Sequence, residues 1–176
     1  VAAWIATQVE EVKPRRLVLT FFGGEPLLNV PAMFEIAGRS SKHAASRGVI
    51  QSVSIITNGL LLTPQIVECM VPLGLTGVKV TLDGDRETHD RMRPLRGCQG
   101  TFDRIIENVR NVAPLVPVTI GGNFARSSLV AGLLRGPDGF FGTSDDQVGP
   151  GRSTIGIEVP NEKRRGEYRG TDLGGD

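Results

Sequence analysis

RLVLTFFGGEPLL, residues 16–28, joins an apolar run to two glycines, an acid and a proline. Seven residues rich in branched and aromatic side chains, cut off by Gly-Gly, are too short for a helix and suit a buried strand. The strand therefore reads as Arg16–Phe22, with Gly23-Gly24-Glu25-Pro26 at its carboxyl end. A carboxylate placed where a buried strand has just surfaced needs a physical reason, and the rest of the chain supplies three comparable strand ends.

Working outward, residues 1–12 carry Trp4, Ile5, Val9 and Val12 at helical spacing. Pro31–Arg47 reads as a helix with Pro31 in its first turn, stopped by Gly48. Gln51–Thr57 alternates through Val53 and Ile55 and ends at Asn58-Gly59. Thr63–Val71 is a second helical stretch, with Thr63 as its cap and Pro64 at the first helical position. Gly77–Leu82 is a third strand, with Val78, Val80 and Leu82 on one face and Asp83-Gly84 at its end. Thr101–Val112 carries the stripe Phe102, Ile105, Ile106, Val109 and Val112, with Thr101 as cap, and Val116–Ile120 is a fourth strand before Gly121-Gly122-Asn123. This alternating order is α/β, and crossovers of such length suit parallel strands. An open doubly wound sheet and part of a β/α barrel both fit, and both bind ligands at the carboxyl ends of their strands.

Composition narrows the function classes. The chain has 176 residues, a formal net charge of +1 and two cysteines. That charge gives no global field for nucleic acid. No apolar run approaches the roughly 20 residues that cross a bilayer, so neither a nucleic acid nor a membrane is expected as partner. Cys69 and Cys98 are too few for a disulfide scaffold or a cysteine-rich metal site, and Cys69 reads as a small buried hydrophobe. A reducing, cytoplasmic setting is the expectation. A basic excess gives way to an acidic one after about Arg135, where the chain also becomes glycine-rich. Residues 136–176 read as a separate, poorly ordered tail with Ile155–Val159 as its one possible strand.

The strand ends define the candidate chemistry. Gly23 and Gly24 lack Cβ atoms and leave backbone groups open to a ligand. Glu25 adds an acceptor and Pro26 stiffens the exit, a combination that suits an ammonium better than a phosphate. Neither Gly-x-Gly-x-x-Gly nor a terminal Gly-Lys-Ser/Thr is present. Thr57 and Asn58 offer hydrogen bonds at the second strand end. Thr81 and Asp83 share a face at the third, where Asp83 receives a hydroxyl, orients a neighbour or caps a turn. The segment 86–96 reads as a charged loop whose arginines suit an acidic substrate or simply solvent. His89 reads there as a structural hydrogen-bonding residue. Four ordinary βα turns would show similar residues.

In register, GGEP at 23–26, ITNG at 56–59, VTLDG at 80–84, ETHDRMRP at 87–94 and GTFDRIIENV at 100–109 resemble the radical S-adenosylmethionine superfamily. The resemblance is to its peptide- and protein-modifying members with an auxiliary-cluster domain, and it runs from about Leu17 to Phe124. It implies a partial (β/α)6 barrel, of which this chain supplies about four parallel strands. It implies S-adenosylmethionine as cofactor: the GGEP loop meets its methionyl amino group, Thr57 and Asn58 lie beside it, Thr81 and Asp83 line the next wall, and Asn123 sits at the fourth strand. The family chemistry also implies a [4Fe-4S] cluster held by a CxxxCxxC motif, which yields a 5′-deoxyadenosyl radical for hydrogen abstraction from a peptide or protein substrate. Soft iron–sulfur centres demand thiolates, and that motif is absent here. The chain thus reads as a core fragment, inactive as it stands, with no catalytic residue and no metal ligand assigned. Cys98 stands where a glycine is usual.

After about Arg135 the resemblance ends. PGRSTIGIEVPNEKR, 150–164, resembles a short stretch of a bacterial DNA translocase of the cell-division type, without its nucleotide motif. Two unrelated pieces across a glycine-rich junction suggest a chimeric reading frame. The other function class is a non-catalytic α/β binding protein.

Overall fold

The computed structural model describes residues 1–124 and 153–159, with backbone alone for Asn123, Phe124 and 153–159. Five strands form one sheet in the order β1-β2-β3-β4-β5: Arg16–Phe21, Ile50–Thr57, Leu75–Thr81, Val118–Phe124 and Ser153–Val159. The first four are parallel. Between them run helices α2 (Val30–Ser46), α3 (Pro64–Met70), α4 (Arg86–Met92) and α5 (Phe102–Val112), and α1 (Ala2–Val12) precedes β1.

The strand order chooses between the two architectures. Parallel crossovers are right-handed almost without exception. When each new strand is added beside the last with no reversal, every crossover helix lands on the same face. A doubly wound sheet reverses its order and covers both faces; this sheet does not reverse, and winds as part of a β/α barrel. The core confirms it: Val53, Ile55, Val78, Val80 and Val118 from the strands are buried with Met33 and Ala37 of α2, Val67 and Met70 of α3, and Ile105, Val109 and Val112 of α5. Ile5 and Val9 of α1 pack with Ala44, Val49, Leu17 and Leu19 in a second cluster on that side. Each fully buried Val, Ile or Met among them contributes roughly 1.5–3 kcal/mol. The opposite strand positions carry Thr20, Ser54 and Lys79, with Val18 63% exposed. Threonine and serine pair across this face, Thr20 Oγ1 lying 2.9 Å from Ser54 Oγ and Ser52 Oγ 3.1 Å from Thr76 Oγ1.

Several expectations are corrected. Trp4 and Val12 are two-thirds exposed, because only Ile5 and Val9 of the helical stripe reach the core. Cys69 is exposed, since Val67 and Met70 take the buried side of α3. Residues 86–92 form helix α4 rather than a loop. Apart from Met92 its exposed residues are polar and only His89 is buried, so no apolar stripe announces it; Asp85 caps it by accepting the Thr88 N–H at 2.9 Å. Thr101 stands at the N-cap of α5 without capping it; the Asp90 carboxylate accepts the N–H groups of Thr101 and Phe102 at 2.7 and 2.9 Å instead. Those backbone bonds, from Phe102 foremost, hold the Asp90 carboxyl below the usual carboxylate range.

The fourth strand starts at Val118, after Pro117, and continues through Gly121-Gly122-Asn123, which the sequence placed in a loop. It continues because β5, containing the expected Ile155–Val159, pairs antiparallel along all of it. The remaining tail residues, including the rest of 150–164, lie outside the described residues. Cys98 adopts φ 61°, the left-handed region that favours glycine, which accounts for the glycine usual at that place. Among the described residues no helix is long and apolar enough to cross a membrane.

Gly59 sits at φ +80°, and a Cβ there would come within 2.7 Å of Val80 Cγ1 and 3.0 Å of Ile105 Cγ2. Gly59→Ala combines left-handed strain with overpacking. We expect it to destabilise the chain by about 2–4 kcal/mol, measured as a lower urea midpoint at unchanged slope.

Candidate cofactor-binding site

Because β1 to β4 are parallel neighbours, their carboxyl ends share one edge of the sheet. The loops after Phe21, Thr57 and Thr81 and the end of β4 are therefore brought together by topology rather than by sequence proximity.

Glu25 organises this edge. Its Oε1 accepts the Leu27 N–H at 3.0 Å and the Thr57 hydroxyl at 2.7 Å, and its Oε2 accepts the Asn58 N–H at 2.8 Å. One carboxylate thus starts the 3-10 turn Pro26–Asn29 and binds the loop after β1 to the end of β2. The Thr57 hydroxyl, buried, also accepts the Gly59 N–H at 3.0 Å. Glu25 and Thr57 are engaged with each other, so what the loop presents outward is backbone. Gly23 and Gly24 hold φ +107° and +31°, and a Cβ at either would meet nothing within 4 Å. Two peptide units stand open beside a rigid strand end.

Asn58 turns its Oδ1 back to the Leu60 N–H at 2.9 Å. It lines a cavity of about 200 Å³ shared with His89, Arg93, Leu95, Thr101 and Ile105. Asn108 of α5 steadies this wall by donating to the carbonyls of Gly59 and Leu60 at 2.9 and 3.1 Å. Sequence reading passed over Asn108, although an amide between Ile105 and Val109 on the buried stripe was its signal.

At the third strand end Thr81 is half-buried and Asp83 is buried. The Asp83 carboxylate takes Arg93 Nε at 2.6 Å, and its N–H donates to His89 Nδ1 at 3.1 Å. With Nδ1 accepting, the ring proton lies on Nε2, which faces Thr101 Oγ1 at 3.1 Å; the Thr101 hydroxyl in turn donates to the Arg93 carbonyl. His89 is thus a neutral, fully buried tie between β3, α4 and α5, stacked edge-on to Phe102 at 6.0 Å. Burial first, and then the Arg93 charge, hold its pKa below the ordinary 6.5. Arg93, read from sequence as one of several loop cations, is a member of this network. Asn123 lies in β4 opposite Thr154, and its side chain is outside the described residues.

The iron–sulfur cluster does not fit these donors. Cys69 and Cys98 are both exposed on separate elements, and among the described residues no group of three or more His, Cys, Asp or Glu is placed to hold a metal ion. S-adenosylmethionine does fit: open glycine backbone at a braced strand end suits its amino group, and small polar residues continue along the same edge.

Comparison with known proteins gives a concordant picture. The Radical SAM superfamily profile matches residues 4–124. An AdoMet-dependent heme synthase of Methanosarcina barkeri is 39% identical over 93 residues, 52% of this chain and 24% of that protein. A GTP 3′,8-cyclase of Synechococcus sp. is 35% identical over 95 residues, 52% of this chain and 27% of that protein. The chain therefore spans about a quarter of the length of these relatives. Among solved structures, anSMEcpe with bound AdoMet and the Kp18Cys peptide superposes with a TM-score of 0.59 at 21% identity, covering 68% of this chain and 33% of that one. At that identity the likeness concerns the fold.

Two outcomes follow from this geometry. Glu25→Ala leaves the buried Thr57 hydroxyl and two N–H groups without their acceptor, and should cost about 2–4 kcal/mol in urea unfolding, with Glu25→Gln recovering part of it. His89 binds its proton less readily folded than unfolded, so stability is full above pH 6.5 and falls as pH drops through 6.5 toward the lowered folded value. Unfolding free energy should decline there by at most about 1.4 kcal/mol per pH unit, and His89→Gln should flatten that slope.

Proposed function

Since the chain belongs to the Radical SAM superfamily, we propose that it is the cofactor-binding part of a radical S-adenosylmethionine enzyme whose substrate is a peptide or protein. The observation that carries the reading is the Glu25 clamp, which holds the open Gly23-Gly24 backbone against the end of β2. In this reading the backbone of Gly23 and Gly24 meets the methionyl ammonium. Glu25, Pro26 and Thr57 fix that backbone, Asn58 lies beside the adenosyl or methionyl part, and Thr81 and Asn123 line the wall. Asp83 contributes through Arg93, which it holds at the mouth of the cavity.

The cofactor supplies, when its carbon–sulfur bond is cleaved reductively, the 5′-deoxyadenosyl radical that abstracts hydrogen in this family. This chain's own residues bind and orient; the thiolates that hold a cluster are not among them, so the chain by itself is inactive in this reading. We place it in a reducing cytoplasm, and assign residues 136–176 to a tail of different origin. Likeness in fold to anSMEcpe, solved with a bound peptide, supports the peptide substrate. A second reading, a small-molecule substrate, is favoured by the higher identity to the heme synthase and the GTP cyclase.

The test is a version extended upstream by the genomic reading frame and reconstituted anaerobically with iron and sulfide. A visible cluster spectrum and reductant-dependent 5′-deoxyadenosine are expected. An upstream frame with no cysteine triplet, or a reconstituted cluster that leaves S-adenosylmethionine intact, overturns the proposal.

A further inference from the structure

The sheet face that no helix covers among the described residues carries one feature that the cofactor reading leaves unused. Lys79 lies in β3, on the opposite face from buried Val78 and Val80, and is half-buried. No ion pair or hydrogen bond among the described residues engages its ammonium. Unpaired within the described fold, this ammonium is open to be answered by a negative charge from outside.

The path of the side chain says where that answer comes from. Lys79 pairs in register with Thr119, yet its Cε lies over Gly121, the partner of Thr81. A Cβ added at Gly121 would strike Lys79 Cε and stand 3.3 Å from Nζ. The missing side chain at Gly121 is therefore the slot in which the lysine stem lies. It carries the ammonium from its own row to the Thr81 row, about 6–7 Å closer to the strand ends. Lysine snorkels along apolar or backbone surface to place its charge in this way. By register, Glu158 of β5 stands opposite Thr119, in the row the ammonium has left.

We propose that Lys79, seated in the Gly121 slot, is a substrate-binding residue that takes an anionic group, a carboxylate in the first instance, presented to the inner face of the sheet beside the cofactor wall. The inference rests on the cofactor reading for the word substrate; the anion site itself does not. The methionyl carboxylate of S-adenosylmethionine has the same chemistry, so the test separates the two sources.

The chain, with lysine side chains labelled with carbon-13, is titrated with sodium glutarate and separately with S-adenosylmethionine, and lysine Cε resonances are followed. Glutarate should move the Lys79 resonance to saturation in the millimolar range, while exposed Lys13 and Lys42 move several-fold less. Lys79→Met should weaken glutarate binding at least tenfold, and Gly121→Ala, which fills the slot, at least fivefold. Wild-type titration alone decides the matter should either variant fail to fold. A Lys79 resonance that glutarate leaves in place, or one that moves no more than Lys13 and Lys42, overturns the proposal. So does saturation of Lys79 by S-adenosylmethionine but not by its decarboxylated analogue, which would give the ammonium to the cofactor. Glutarate titrating Lys79 while S-adenosylmethionine leaves it in place is the result a substrate anion site gives; the cofactor reading fails separately, if equilibrium dialysis finds no S-adenosylmethionine bound to the upstream-extended, reconstituted chain.

Discussion

Right-handed crossovers, applied to strands added one beside the next, put the crossover helices among the described residues on one side of the sheet. From that constraint the rest follows. One face is sealed by α2, α3 and α5 and becomes the core. The other keeps threonines, serines and a lysine in place of a second hydrophobic layer. The parallel arrangement then brings four strand ends to one edge, where residues far apart in sequence meet.

Two braces make that edge rigid, and both use charge. Glu25 spends its carboxylate on three hydrogen bonds within the protein, so the glycines before it are held open without a ligand. Asp83, Arg93, His89 and Thr101 form the second brace, around a neutral imidazole with a fixed tautomer. Charge-assisted bonds of this kind are stronger than neutral ones and are worth most where water is partly excluded. The acid that the sequence offered as a ligand group accepts hydrogen bonds within the protein from Leu27, Thr57 and Asn58.

Much of this was legible. The stripes on α1 and α5, the proline, glycine and cap signals of α2 and α3, and the alternation in β2 and β3 located six elements to within about two residues. Thr63 caps α3 as read, its Oγ1 accepting the Ile66 N–H at 3.4 Å. Gly23-Gly24 announced an exposed backbone, and it is exposed. Helix α4 was not legible, because its single buried side chain is a histidine and periodicity counts apolar residues. The carboxyl half of β4 was not legible either, since glycines and an asparagine become a strand only when β5 supplies partners.

The sequence by itself determined the α/β alternation, the helix faces and the types of residue at each strand end, because those depend on local spacing and on which side chains leave water. Only the tertiary structure decided that the sheet winds one way, that Glu25 turns inward to Thr57 and Asn58, that Asp90 rather than Thr101 caps α5, and that the Lys79 ammonium rises through the Gly121 slot. Each of these is a contact between residues distant along the chain. Hydrogen-bond direction and ion pairing depend on separations of a few ångströms, which spacing along a sequence does not encode.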